Sequence, residues 1–202
     1  MALHKHFTGP NVALVSVFAA LIAASTLVPS FELAVGVPLS LQTFAVILAG
    51  ACLGPWRGSA AVLLYLTVGT AGAPIFAGHV GGLGVWAGTT GGFLAGFVAG
   101  AFATGWIARA ARRRGRLSLP TLLLACAVGS LIVINLIGWG WVGVRFDVAP
   151  RDLLIAMAPF FPGDVIKVVA AAFVAWAVHR SYPGLLPATR RRDAARVDAA
   201  TA

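Results

Sequence analysis

Long apolar runs, broken by glycine, proline and arginine, dominate the chain and predict six helices. They fall at 11–29, 39–53, 58–72, 90–109, 119–142 and 153–179. The second and third are shorter than the ~20 residues that cross a bilayer. Irregular backbone is expected to complete them, which is tolerated only where protein or a cavity covers it. The connection from Ala73 to Thr90 is long and glycine-rich, and it carries Pro74, Phe76, His79 and Trp86. No period-two alternation of the kind that builds a membrane barrel is present.

The sixth run holds an interruption that demands a reason. Phe160-Phe161-Pro162-Gly163-Asp164-Val165-Ile166-Lys167 places a carboxylate and an ammonium three residues apart. On a helix, residues i and i+3 share a face. A lysine at the centre of a membrane helix costs roughly 2.5–3.5 kcal/mol, so such a residue usually faces a cavity, a partner or a ligand. One reading is a helix cap at Asp164 with a local ion pair to Lys167. The other is a binding site for a ligand with an anionic group and polar N–H or C=O groups. The start of a helix, which presents N–H groups to an anion, favours the second.

Composition makes the membrane assignment firm. Of 202 residues, 59% are hydrophobic and only 10% charged, with mean hydropathy +0.91, against about 25% charge in soluble domains. The chain reads as one helical membrane domain at 11–182, a short cytoplasmic N-terminus at 1–10, and a basic cytoplasmic tail at 183–202 expected to be disordered. Ala23-Ala24-Ser25 would suit signal-peptide cleavage, but the run before it is long enough to span and favours a retained helix. Cys52 and Cys126 lie in apolar segments and read as buried thiols.

The net charge of +9 does not point to nucleic acid, because the arginines sit in connections and in the tail. With six spans, 12 Lys and Arg fall on the side of both termini and 2, Arg145 and Arg151, on the other. That bias puts both termini in the cytoplasm. The outer side then receives the connections at 30–38, 73–90 and 143–152, together with the Asp164/Lys167 turn.

Other polar and glycine positions gather near the same side. Gln42 and Thr43 follow Pro38 at the head of the second helix, where helix–helix bonding and ligand contact compete as explanations. Gly88-Thr89-Thr90-Gly91-Gly92-Phe93 is a turn entering a helix. His79 is a candidate ligand contact, although a lone loop histidine is more often solvated or satisfies a helix end. Gly81-Gly82-Leu83-Gly84 lacks the strand context of a dinucleotide fingerprint, and no phosphate-loop Gly-Lys-Ser/Thr occurs. No cluster has metal-ligand spacing. On the first helix, Ala19/Ala23 and Ala20/Ala24 form two small-residue registers suited to close helix approach, inside the chain or with a partner.

Five segments in order now carry a resemblance: Val37-Pro38-Leu39-Ser40-Leu41-Gln42-Thr43; Leu48 to Gly58 with Gly54-Pro55-Trp56-Arg57; Ala73-Pro74-Ile75-Phe76-Ala77-Gly78; Gly88 to Phe93; and Phe161 to Lys167. In these, the chain resembles the BioY family, the biotin-specific substrate-binding subunits of energy-coupling-factor (ECF) transporters. The family's Gly-Pro-Thr-Gly-Gly-Tyr reads here with Thr89 for proline and Phe93 for tyrosine, which removes a hydroxyl and leaves stacking.

The resemblance implies an all-α integral membrane protein of six transmembrane helices. It implies an S-component-like bundle with an outward-facing ligand pocket in the plasma (inner) membrane of a bacterial cell. It implies biotin as the transported ligand with no cofactor. A separate transmembrane coupling subunit with two ATPases would be the partner, met by the alanine face of the first helix. Asp164, Lys167, Gln42, Thr43, Phe76, His79, Trp86, Gly91, Gly92, Phe93 and Phe160 are the ligand-binding candidates. Another small vitamin, a membrane enzyme using Asp164 and Lys167 as acid and base, and a structural protein with a mere cap are the alternatives.

Overall fold

The computed structural model describes residues 9–28, 31–34 and 37–186. The first eight residues and the tail arginines at 190–192 and 196 lie outside them. The chain runs through α1 (Gly9–Ala24), a short antiparallel hairpin of β1 (Phe31–Ala34) and β2 (Val37–Leu39), α2 (Gln42–Leu53), α3 (Pro55–Thr70), a 3-10 turn (Leu83–Ala87), α4 (Gly91–Arg113), α5 (Leu119–Phe146), α6 (Pro150–Met157) and α7 (Phe160–Ser181). Three of these, α4, α5 and α7, are long and apolar enough to cross a membrane; α1 and α2 are shorter apolar helices.

The axis of the bundle is α2. Every residue from Ala45 to Leu53 is buried, as expected of a helix that is apolar on all sides. Small residues let its neighbours close in. A Cβ on Gly50 would sit 2.4 Å from the Ala101 carbonyl oxygen of α4, and one on Gly58 of α3 would sit 2.8 Å from Gly50 Cα. Gly54, with φ +81°, turns the chain sharply from α2 into α3, and Pro55 at the first helical position starts the new helix.

Three departures from the predicted elements have local causes. The run at 153–179 is two helices, because Pro159 lacks the N–H that would continue α6, and α7 begins directly after it. The segment before Gln42 enters the hairpin, which shortens α2 at its start. And α5 contains a π-helical stretch, Val128–Ile134. A looser turn alters the phase of everything after it, since each residue of an α-helix advances about 100°.

The two ends of the bundle differ in chemistry. At one end Arg57 donates to the Leu53 and Leu185 carbonyls and to Asn11 Oδ1, and Arg112 donates to the Pro183 carbonyl. Leu186 is 1% exposed. The boundary expected at 183 therefore falls within a packed turn that closes this end. The other end gathers the head of α2, the 73–90 connection, the head of α4, the second half of α5 and the head of α7 around a cleft.

Candidate ligand cleft

About 560 Å³ of space not filled by atoms, open solvent at the mouth included, lies between the walls of the cleft. Among the described residues, Asp164 and Lys167 are the charged members of its lining. Lys167 Nζ donates to Asp164 Oδ1 at 3.0 Å, and the two side chains are 11% and 8% exposed. Asp164 does not cap its helix: α7 starts at Phe160, its N-cap is Pro159, and no side chain bonds there. Asp164 sits one turn further in, where its second oxygen accepts from Asn135 Nδ2 at 3.2 Å. The capping role gives way because the proline break set the helix start four residues earlier.

Asn135 is a polar residue of the cleft that no sequence motif singles out. It opens the helical stretch directly after the π turn of α5, and it shares the cleft with Trp139, one turn onward. An amide alone in an apolar run was the available signal, because such a group in a membrane helix needs a partner. π turns recur at functional sites for the same geometric reason: they re-aim side chains.

Apolar walls complete the cleft. Phe93, Trp139 and Phe160 form an edge-to-face row, with centroids 5.6 and 5.2 Å apart and planes at 83° and 74°. Such pairs contribute about 0.5–1.5 kcal/mol beyond burial. The row requires Gly138, since a Cβ there would lie 2.3 Å from the Phe93 ring. Phe76, from the glycine-rich connection, stacks edge-on against Tyr65 at 5.5 Å.

Of the sequence candidates, Asp164, Lys167, Gln42, Thr43, Phe76, Phe93 and Phe160 line this one cleft, with Ser40, Thr90, Asn135 and Trp139 added. Four candidates fall elsewhere. His79 is exposed, with φ +58°, in the tight turn that follows Phe76. Trp86 donates its indole N–H to Thr70 Oγ1 at 2.9 Å and lines a separate apolar groove with Gly91, Gly92 and Trp141. Gly91 and Gly92 serve packing: a Cβ would meet the Trp86 carbonyl oxygen or Trp141 Cβ at 2.1 Å.

The alanine registers of α1 also separate. Ala19 is buried and Ala23 half-buried against the bundle, while Ala20 and Ala24 are exposed.

Comparison with known proteins now places the chain. Residues 3–184 match the sequence profile of the BioY family. The chain belongs to the BioY family. It is 42% identical over 188 residues to the biotin transporter BioY of Rhodobacter capsulatus, covering 87% of this chain and 96% of that protein. It is 36% identical over 182 residues to the biotin transporter BioY of Rhizobium etli, covering 88% and 97%. Among solved structures, the S-component for biotin from an ECF-type ABC transporter superposes with TM-score 0.81 at 21% identity, over 86% of this BioY-family chain and 95% of that one. The fold is that of an ECF S-component, an all-α membrane bundle, with one short hairpin among the described residues. The relatives are transporters by name, which sets aside the membrane-enzyme alternative for the Asp164/Lys167 pair.

Proposed function

We propose that this chain is a membrane-embedded, high-affinity biotin-binding subunit of a vitamin uptake transporter, working with a transmembrane coupling subunit and two separate ATPases. The observation that carries the ligand assignment is the convergence of Asp164, Lys167 and Asn135 beside the aromatic row. Biotin's ureido group has two N–H donors and one carbonyl. Asp164 and the Asn135 carbonyl oxygen are acceptors for the first, and Lys167, with three N–H donors, serves the second. The apolar bicycle packs on Phe93, Trp139 and Phe160. Because Lys167 is already 3.0 Å from Asp164, both charges serve the ureido end. The carboxylate-bearing chain then extends toward the neutral hydroxyls of Thr43 and Thr90. Relatives named biotin transporters support the same ligand.

The topology proposed is six spans with both termini cytoplasmic in a bacterial plasma membrane. The gathering of Arg57, Arg109 and Arg112 at the end opposite the cleft supports it. Exposed Trp56 and Trp106 near that end, and Trp141 near the other, suit the two membrane–water interfaces.

A titration of the purified protein with three ligands tests the reading. Biotin is expected to bind, and biotin methyl ester to bind within about fivefold, since among the described residues Lys167 is the one cation lining the cleft and it is paired with Asp164. In 2-iminobiotin an N–H replaces the ureido oxygen and meets Lys167, so affinity is expected to fall at least about tenfold, or 1.4 kcal/mol. Absence of biotin binding overturns the reading, and collapse of affinity for the ester overturns the orientation.

The exposed Ala20/Ala24 register, not the packed Ala19/Ala23 one, is the proposed contact with the coupling subunit. Ala20→Leu is expected to leave biotin affinity unchanged and to reduce uptake by cells at least fivefold. Because TM helices associate by close backbone approach at small residues, a single bulky side chain is enough to hold them apart. Unchanged uptake would move the contact to another face.

A further inference from the structure

Behind the cleft wall runs a one-way chain of hydrogen bonds. Ser40 Oγ donates to Gln42 Oε1 at 3.0 Å, Gln42 Nε2 donates to the Tyr65 hydroxyl oxygen, and the Tyr65 hydroxyl donates to the Ile75 carbonyl at 3.1 Å. Tyr65 is 1% exposed and does not line the cleft; Gln42 is 2% exposed and does. A phenol has one proton. Here it is committed to Ile75, so toward Gln42 the oxygen can only accept. The amide is therefore locked with its nitrogen toward Tyr65 and its oxygen toward Ser40, and its second N–H remains as a donor. The same ring stacks on Phe76, one residue beyond Ile75. Phe76 in turn lies where a Cβ on Gly69 would be, at 2.4 Å. One buried side chain on α3 thus sets a wall residue of α2 and a wall residue of the glycine-rich connection.

We propose that Tyr65 is a positioning residue for the ligand: it touches no ligand, its hydroxyl fixes the Gln42 amide as a donor, and its ring backs Phe76 in the cleft wall. This rests on the cleft being the biotin site. In a buried network each hydroxyl aligns the next group, and removing one frees the rest to reorient.

The test is a double-mutant cycle on biotin affinity in the full-length purified protein, with Tyr65→Phe, Gln42→Leu and the double variant. Tyr65→Phe retains the ring, and with it the stack on Phe76. It is expected to weaken biotin roughly tenfold, whereas in the Gln42→Leu background the same change costs less than about twofold. This is the non-additivity of residues that act through one another. A purely structural tyrosine would cost the same factor in both backgrounds, and that result overturns the proposal. Ser40→Ala releases the other anchor of the same amide and gives a second cycle if Tyr65→Phe does not fold. Its effect, too, must vanish in Gln42→Leu, and persistence overturns the proposal. Wild-type protein that fails to bind biotin would reject the function reading along with this one. Wild-type binding with additive variants rejects this one alone.

Discussion

Asp164→Asn and Lys167→Met are each expected to weaken biotin at least 100-fold, about 2.7 kcal/mol, and to destabilise the protein. The double variant is expected to recover the stability and none of the binding. The reason is the asymmetry of buried ion pairs. Removing one partner leaves the other charge stranded, at about 3–5 kcal/mol, whereas replacing both with groups of similar size is neutral or stabilising. Lys167 at 11% side-chain exposure has Asp164 as its ion-pair partner. Asp164 keeps Asn135 when the lysine goes, so Lys167→Met is the milder of the two for folding. Thermal midpoints in detergent and a biotin titration on the same three samples separate the effects. If the double variant binds biotin like the wild type, the pair is only structural and the cleft assignment falls.

Gly58→Leu is expected to yield no folded, monodisperse protein. A Cβ at Gly58 would lie 2.8 Å from Gly50 Cα and 3.0 Å from the Ala49 carbonyl oxygen, both backbone atoms in the buried stretch of α2, which cannot move aside as a side chain would. Overpacking of well-fitted cores typically costs 1–3 kcal/mol for a few added methylenes, and occasionally more; here α2 is itself wedged against Ala101 of α4, so the displacement passes through the bundle. Gly140→Ala is the control. It lies inside α5 with nothing within 4 Å of the added Cβ, and is expected to leave the midpoint unchanged or raise it slightly, because alanine is the better helix former by about 1 kcal/mol. Size-exclusion profiles and thermal midpoints decide both. A folded Gly58→Leu protein would mean that α2 and α3 stand further apart than described.

Gln42 illustrates what one-dimensional reading can reach. An amide at the head of a short apolar helix flags itself as needing a partner, but nothing in the chain names Tyr65, 23 residues on, as that partner. Asp164 is similar: its pairing with Lys167 follows from helical spacing, while its bond to Asn135, 29 residues earlier, does not. Trp86, Gly91 and Gly92 were drawn toward the cleft by their place in a motif. In space they belong to the contact of the 3-10 turn and α4 with α5.

Short-range rules carried much of the architecture. Apolar run lengths set the helical membrane architecture, and i to i+3 spacing set the ion pair. Five ordered motifs set the family. The rest depends on the phase and distance of elements far apart in the chain: the bond of Asn135 to Asp164, the burial of one alanine register of α1 and not the other, and the hydroxyl behind Gln42. A helix's phase relative to its neighbours is the sum of every turn before it and every contact across it, and no local pattern of residues records that sum.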